Sequence, residues 1–278
     1  MSRFGSAAYP VILLWLLVGL PAQGGGSHAA TLVDAGVTAA RQHEFRRALG
    51  YFDQALQQPN LTPREQSVIL DNRGNAHKKL GNYTASINDY TWALLLAPEL
   101  AKPLYDRGVV HFIQGEFAAA ADDLQAFLQQ MPDIASPYPH LWLYLARARA
   151  SHDKKGGNHL ENTLFLEQIT WPSPLIRLHR EELDVTTLLS HTAHHTAQKH
   201  LENQCDAFFH LGEYHLLRGD GRAARSWFRR ALDTGMVHLD EYAAARGEWL
   251  TLKPPAGSSL PSLLDLDPEL FQQKQSSP

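Results

Sequence analysis

From Asp71 to Pro132 the sequence repeats itself with a fixed step of thirty-four residues, and that step limits the fold more than any other feature of the chain. DNRGNAHKKLGNYTASINDYTWALLLAP aligns with YDRGVVHFIQGEFAAAADDLQAFLQQMP, so that Gly74 falls on Gly108, His77 on His111, Gly81 on Gly115 and Tyr83 on Phe117. Ser86 then meets Ala120, Tyr90 meets Leu124, Ala93 meets Phe127 and Pro98 meets Pro132. Small residues recur on small and large on large, as a stack of like supersecondary units requires.

Two helical patterns with a small-residue crossing at this period resemble the tetratricopeptide repeat, a helix-turn-helix unit. The expected fold class is all-α, a TPR-type helix-turn-helix solenoid. Gly74 and Ser86 are expected where the two antiparallel helices of one unit approach closely. Gly81 is expected to end the first helix in the left-handed cap conformation. Tyr90 and Ala93 form the inner stripe of the second helix, and Pro98 stops it. One such pair cannot bury its own apolar face, so its neighbours must supply the rest of the core.

The same landmarks extend the array in both directions. Gly36, Phe45, Ala48, Phe52, Ala55 and Leu56 match the second unit at an offset of thirty-eight, the extra residues lying in the QQPNLTPRE connection. After Pro132, Trp142, Leu145 and Ala146 mark a first helix, and NHLENTLFLEQ is expected to be its partner. WPSPLIRLHREELDVTTLL breaks the register, with a helix expected only from about Leu175 because of Pro172 and Pro174. Gly212, His215, Gly219, Ala224, Phe228 and Ala231 restore it, followed by a closing helix in HLDEYAAARGEWL. The expected organisation is a secretory signal over 1–29, a superhelix over 30–252 with a degenerate central unit at 139–204, and a capping or flexible tail over 253–278.

The signal reading rests on Arg3, the apolar run VILLWLLVGL and the small residues after Pro21, with cleavage after Ala22 or Ala29. The run is short for a bilayer span, and an uncleaved anchor is the alternative. No cysteine stands at the end of the run, so no lipid anchor is expected there, and an exported chain should be soluble in the periplasm. The single cysteine, Cys205, sits in an apolar helical pattern and reads as a small buried hydrophobe. A net charge of −4 with no basic stripe argues against nucleic acid as a partner.

A narrower resemblance covers most of the chain after the signal. LWLYLARARA, the WP-containing break, QCDAFFHLGEYHLLRGDGRAARSWFRRALDTG and EYAAARGEW, in that order, are similar to the periplasmic tetratricopeptide lipoproteins of Gram-negative bacteria, the NlpI-like family. The resemblance implies an all-helical, often dimeric adaptor that binds murein hydrolases and a periplasmic protease. The missing lipidated cysteine is a departure from those lipoproteins.

No metalloprotease, nucleophile-elbow or P-loop pattern is present, so no enzyme activity and no cofactor are expected. GDGRAA, from Gly219 to Ala224, follows a helix rather than a strand and reads as an interhelix turn. HTAHHTAQKH would place His191, His194 and His195 on one helical face, with His200 beyond, and gives the alternative reading of a metal-binding protein. The principal reading is a non-catalytic scaffold that binds proteins or peptides through its concave groove. The residues expected to line that groove are Asn75, Lys78, Lys79, Lys102, Tyr105 and Phe112, whose cations and aromatics suit a peptide with acidic and apolar side chains. Arg222, Arg225, Arg229 and Arg230 form a second basic face.

Overall fold

The computed structural model describes residues 28–151, 160 and 170–252. Residues 1–27 of the signal segment, nearly all of NHLENTLFLEQ and the tail from residue 253 lie outside the described residues. The elements are α1 (His28–Arg41), α2 (Phe45–Leu56), α3 (Pro63–Lys79), α4 (Tyr83–Leu96), α5 (Lys102–Ile113), α6 (Phe117–Gln130) and α7 (Tyr138–Ser151). After the gap come α8 (Ser173–His179), α9 (Val185–Ser190), α10 (Ala197–Leu217), α11 (Gly221–Asp233) and α12 (Asp240–Thr251). No strand occurs among the described residues. The fold is all-α, built from helix-turn-helix units of tetratricopeptide type.

The repeat has a steric cause. In four hairpins a glycine on the first helix meets a large residue sixteen positions later on the second: Gly36 with Phe52, Gly74 with Tyr90, Gly108 with Leu124, and Gly212 with Phe228. A methyl group at Gly36 would lie 2.5 Å from the Phe52 ring, and one at Gly74 2.7 Å from Tyr90. Phe52, Tyr90, Leu124 and Phe228 are fully buried, and Ala48, Ser86, Ala120 and Ala224 fill the floor beside them. Ser86 Oγ donates to the Gly74 carbonyl at 2.8 Å, which satisfies a hydroxyl that would otherwise be stranded in the core. Gly212→Ala is therefore expected to lower the unfolding free energy by about 1–3 kcal/mol through overpacking against Phe228. Gly50→Ala, inside α2 with nothing within 4 Å, should instead raise it by about 0.5–1 kcal/mol. Urea unfolding of the two variants checks the opposite signs.

Each hairpin turn uses one residue of positive φ. At Gly81 φ is 74°, the Asn82 amide donates to the His77 carbonyl at 2.9 Å, and the Gly81 amide donates to that of Lys78 at 3.0 Å. This double closure satisfies carbonyls that the helix end leaves free. His43 takes the same place between α1 and α2 with φ of 62°. α3 starts at a capping box, in which the Glu65 amide donates to Thr62 Oγ1 at 3.2 Å and the Thr62 amide donates to the Glu65 carboxylate at 2.8 Å.

Residues up to Pro103 and from Leu104 onward form two compact units. In the first, α1 pairs with α2, α2 packs on α3, and α3 pairs with α4. Its core includes Leu32, Val37, Phe52, Ala55, Ile69 and Ala76. In the second, α10 is central and packs on α11, α12 and the short α8 and α9. Phe112, Trp142, Phe209, Phe228 and Trp249 are among its buried residues.

Two boundaries differ from expectation. α8 begins at Ser173, not near Leu175, because Pro174 stands in the first turn, where a missing N–H removes no helical bond. α10 begins at Ala197, with Thr196 as its cap accepting from the Lys199 amide at 3.4 Å.

Candidate functional site

In the first unit, Asp71, Asn75 and Lys79 recur at four-residue steps and so share one face of α3. Lys102 reaches that face from the start of α5, its Nζ 2.8 Å from Asp71 Oδ2. Asn75 Nδ2 donates to the Asp71 backbone carbonyl at 3.0 Å. The structure thus brings Asn75 and Lys102 together around Asp71, which the sequence reading did not single out. Asn75, Lys79 and Lys102 are half-buried.

Two of the groove residues need correction. Lys78 is 6% exposed and Phe112 is 2% exposed, so neither lines a surface as expected. They are equivalent residues one step of thirty-four apart, at a position that points inward in both repeats. Phe112 packs edge-on against Trp142 and Phe117, with ring centroids 5.0 and 5.1 Å away. Tyr105, also in the second unit, is half-buried, its ring 5.4 Å from that of Phe127. The stripe on α5 that corresponds to Asp71, Asn75 and Lys79 is Tyr105, Val109 and Ile113, all packed into or against the second core. The polar stripe of α3 is therefore not repeated on α5.

An ion pair repeats with the same step and was missed. Arg73 forks onto Asp89 through Nε at 2.9 Å and Nη2 at 2.6 Å, and Arg107 forks onto Asp123 at 2.7 Å through both. The Asp89 carboxylate holds the Arg73 guanidinium above its usual range against the opposing effect of burial. The signal was available, since both residues of each pair align in the two lines of the repeat. These forks tie the two helices of a hairpin together.

The ionisable groups buried in the second unit are held by structural partners. Asp206 accepts from Tyr138 Oη at 2.7 Å and Trp171 Nε1 at 3.1 Å, and burial pushes its carboxyl up to about 6. Glu213, 0% exposed, is held by Arg149. His179 Nε2 lies 3.0 Å from His210 Nδ1, both rings buried. Burial pushes the Cys205 thiol well above its ordinary value, which leaves an inert group rather than a nucleophile. A surface depression of about 260 Å³, lined by Asp34, Ala35, Thr38, Ala39, Gln42, Arg47 and Tyr51, contains none of these groups.

The histidine face also needs correction. His191 closes α9, and His194 and His195 stand in the non-helical stretch before α10, so the three do not share a helical face. The cause is Thr196: as the cap of α10 it cannot also lie inside a helix running through the histidines. His194 Nδ1 accepts from the Thr196 amide at 3.2 Å, and His200 Nδ1 lies 3.0 Å from the Thr192 carbonyl, so two of the rings are engaged in the turn. Among the described residues, no three His, Cys, Asp or Glu side chains gather as a metal site. On α11, Arg225 is buried rather than displayed, 8% exposed and bound to carbonyls of the last turn of α12.

Comparison with known proteins matches residues 72–139 to the tetratricopeptide repeat family. Among solved structures, the chain is similar to a tetratricopeptide repeat protein from Parabacteroides merdae ATCC 43184, at 18% identity over 79% of this chain and 84% of that one, with a TM-score of 0.47. It is similar to MamA, at 16% identity over 74% of this chain and 91% of that one, TM-score 0.43. It is also similar to the first TPR of Spaghetti (RPAP3), bound to the HSP90 peptide SRMEEVD, at 19% identity over 44% of this chain and 93% of that one, TM-score 0.41.

Proposed function

We propose that this protein is a non-catalytic adaptor that holds a segment of another protein against the α3 face of Asn75, Lys79 and Lys102. The observation that carries the reading is the Asp71–Asn75–Lys79 stripe, polar where the equivalent stripe on α5, Tyr105, Val109 and Ile113, is apolar. α3 turns Gly74 and Ser67 toward α4, and Ser67 Oγ donates to the Ala93 carbonyl at 2.8 Å. With Lys79 on the same helical face and Lys102 paired to Asp71, the face suits an extended segment carrying acidic groups, bound by charge-assisted hydrogen bonds.

The finer parts of the reading come from the family resemblance: export to the periplasm, a murein hydrolase or processing protease as the bound protein, and pairing of two copies. Cleavage after Ala22 would leave α1 whole, whereas cleavage after Ala29 would remove His28 and Ala29, the latter buried in the first core. The test is capture from an envelope extract by tagged chain, with N-terminal sequencing of the exported protein. An Asn75→Ala/Lys79→Ala/Lys102→Ala variant should recover the wild-type partner at least about tenfold less efficiently, since each tenfold corresponds to about 1.4 kcal/mol. Equal recovery by the variant would place binding elsewhere, and an unprocessed chain in the cytoplasm would count against export.

A further inference from the structure

The chain leaves α12 along α11. Arg225 Nη1 donates to the Leu252 carbonyl at 2.8 Å and also to that of Trp249, and its guanidinium lies 4.0 Å over the Trp249 ring. A methyl group at Gly221, the first residue of α11, would stand 3.7 Å from Leu252 Cδ2. Leu252 therefore lies beside the first turn of α11.

That helix presents a basic face. Arg222 and Arg230 are exposed and Arg229 is half-exposed. Arg229 pairs with Asp233 at 2.8 Å, the one carboxylate in α11, and lies 6.0 Å from the Trp249 ring. Arg230 sits 4.7 Å over Trp227, which is stacked on Phe208. Leu250, two residues before the exit, is 48% exposed. The face is an arginine row with aromatic and aliphatic surface beside it.

The residues that follow carry the complementary pattern. Leu260–Phe271 reads LPSLLDLDPELF, with Asp265, Asp267 and Glu269 and no cation. In an extended backbone these acids fall on one side, and Leu264, Leu266 and Leu270 on the other. Pro268 disfavours helix at the residue before it. Asp265 and Glu269 would then stand about 13 Å apart, against about 10.5 Å of helix rise between Arg222 and Arg229, a difference that arginine side chains span. Residues 253–259 reach about 25 Å when extended, more than the roughly 20 Å length of α11.

We propose that Leu260–Phe271 docks in cis on the Arg222, Arg229 and Arg230 face of α11, its acids on the arginines and its leucines over the neighbouring apolar surface. The segment then caps the end of the helical array and occupies a face that an acidic, leucine-rich segment of another protein would otherwise fit.

Hydrogen exchange of the full-length chain at low ionic strength tests this. Amides of 260–271 should exchange about tenfold or more slowly than in an unstructured peptide, and moderate salt should reduce that protection. Arg222→Glu/Arg229→Glu should remove it, with unchanged far-ultraviolet circular dichroism as the control. Asp265→Asn/Asp267→Asn/Glu269→Gln should remove it without touching α11, and carries the test if the arginine variant fails to fold. Unprotected exchange in the wild type, or protection that survives both variants, overturns the proposal. Protection that rises with protein concentration overturns docking in cis in favour of a second copy as the receptor.

Discussion

Replacing Arg149 with alanine should lower the unfolding free energy by about 3–5 kcal/mol, the usual cost of stranding a buried charge. Arg149 Nη1 donates to both carboxylate oxygens of Glu213, at 3.0 and 3.1 Å, and to Glu248 at 2.8 Å. Its guanidinium also lies 4.3 Å over the Phe117 ring. One cation therefore ties α7 and α6 to α10 and α12. Burial already pushes Glu213 up to about 8, with Arg149 as the main opposing influence. Without the arginine, the buried Glu213 carboxyl stands beside Glu248 with no cation against either. Urea unfolding measures the loss, and Arg149→Met/Glu213→Leu should recover most of it, because an apolar pair of similar volume needs no counter-charge. A loss below about 1 kcal/mol in Arg149→Ala would mean that the guanidinium is not what neutralises Glu213.

The second large effect is a pH dependence carried by His179 and His210. Burial holds both rings below the ordinary histidine value, His210 at about 3 and His179 well below, with His210 and Arg218 adding to the effect on His179. His179 Nδ1 and His210 Nε2 also lack a partner atom among the described residues. Below pH about 6.5 the unfolded chain takes up protons that the folded chain refuses, so stability falls as pH drops toward the folded values. With its value at about 3, the His210 ring contributes about 2 kcal/mol between pH 7.5 and pH 5, and His179 acts in the same sense. Asp206 and Glu213, whose values are raised to about 6 and about 8, act in the opposite sense over the same range. The measurement is therefore a difference: His179→Leu/His210→Leu should gain at least about 2 kcal/mol on the wild type between pH 7.5 and pH 5. A constant difference across that range would show that the histidine pair is not the source.

How much of this is readable from sequence depends on whether the cause lies within one repeat. Gly74 opposite Tyr90 is readable, because the contact stays inside a hairpin and returns at Gly108 and Leu124. The turn at Gly81 is readable for the same reason. Phe112 under Lys78 in the aligned lines already marks that position as inward, a signal that a single-repeat reading of the groove overlooks. The histidine stretch fails differently: a residue pattern compatible with a helix was overruled by Thr196, whose side chain starts a new one. Arg225 looks like surface charge until Trp249 and Leu252 arrive from another helix, and Arg149 with Glu213 and Glu248 is likewise a long-range assembly.

The central claim, that the α3 stripe binds protein segments, is tested most directly by calorimetric titration of a captured partner against wild type and Asn75→Ala/Lys79→Ala/Lys102→Ala, with thermal unfolding measured in parallel. The account predicts an affinity weakened about tenfold or more, with helicity intact and a melting temperature lowered by the loss of the Lys102–Asp71 pair but still above the temperature of the titration. An unchanged affinity in a folded variant would contradict it.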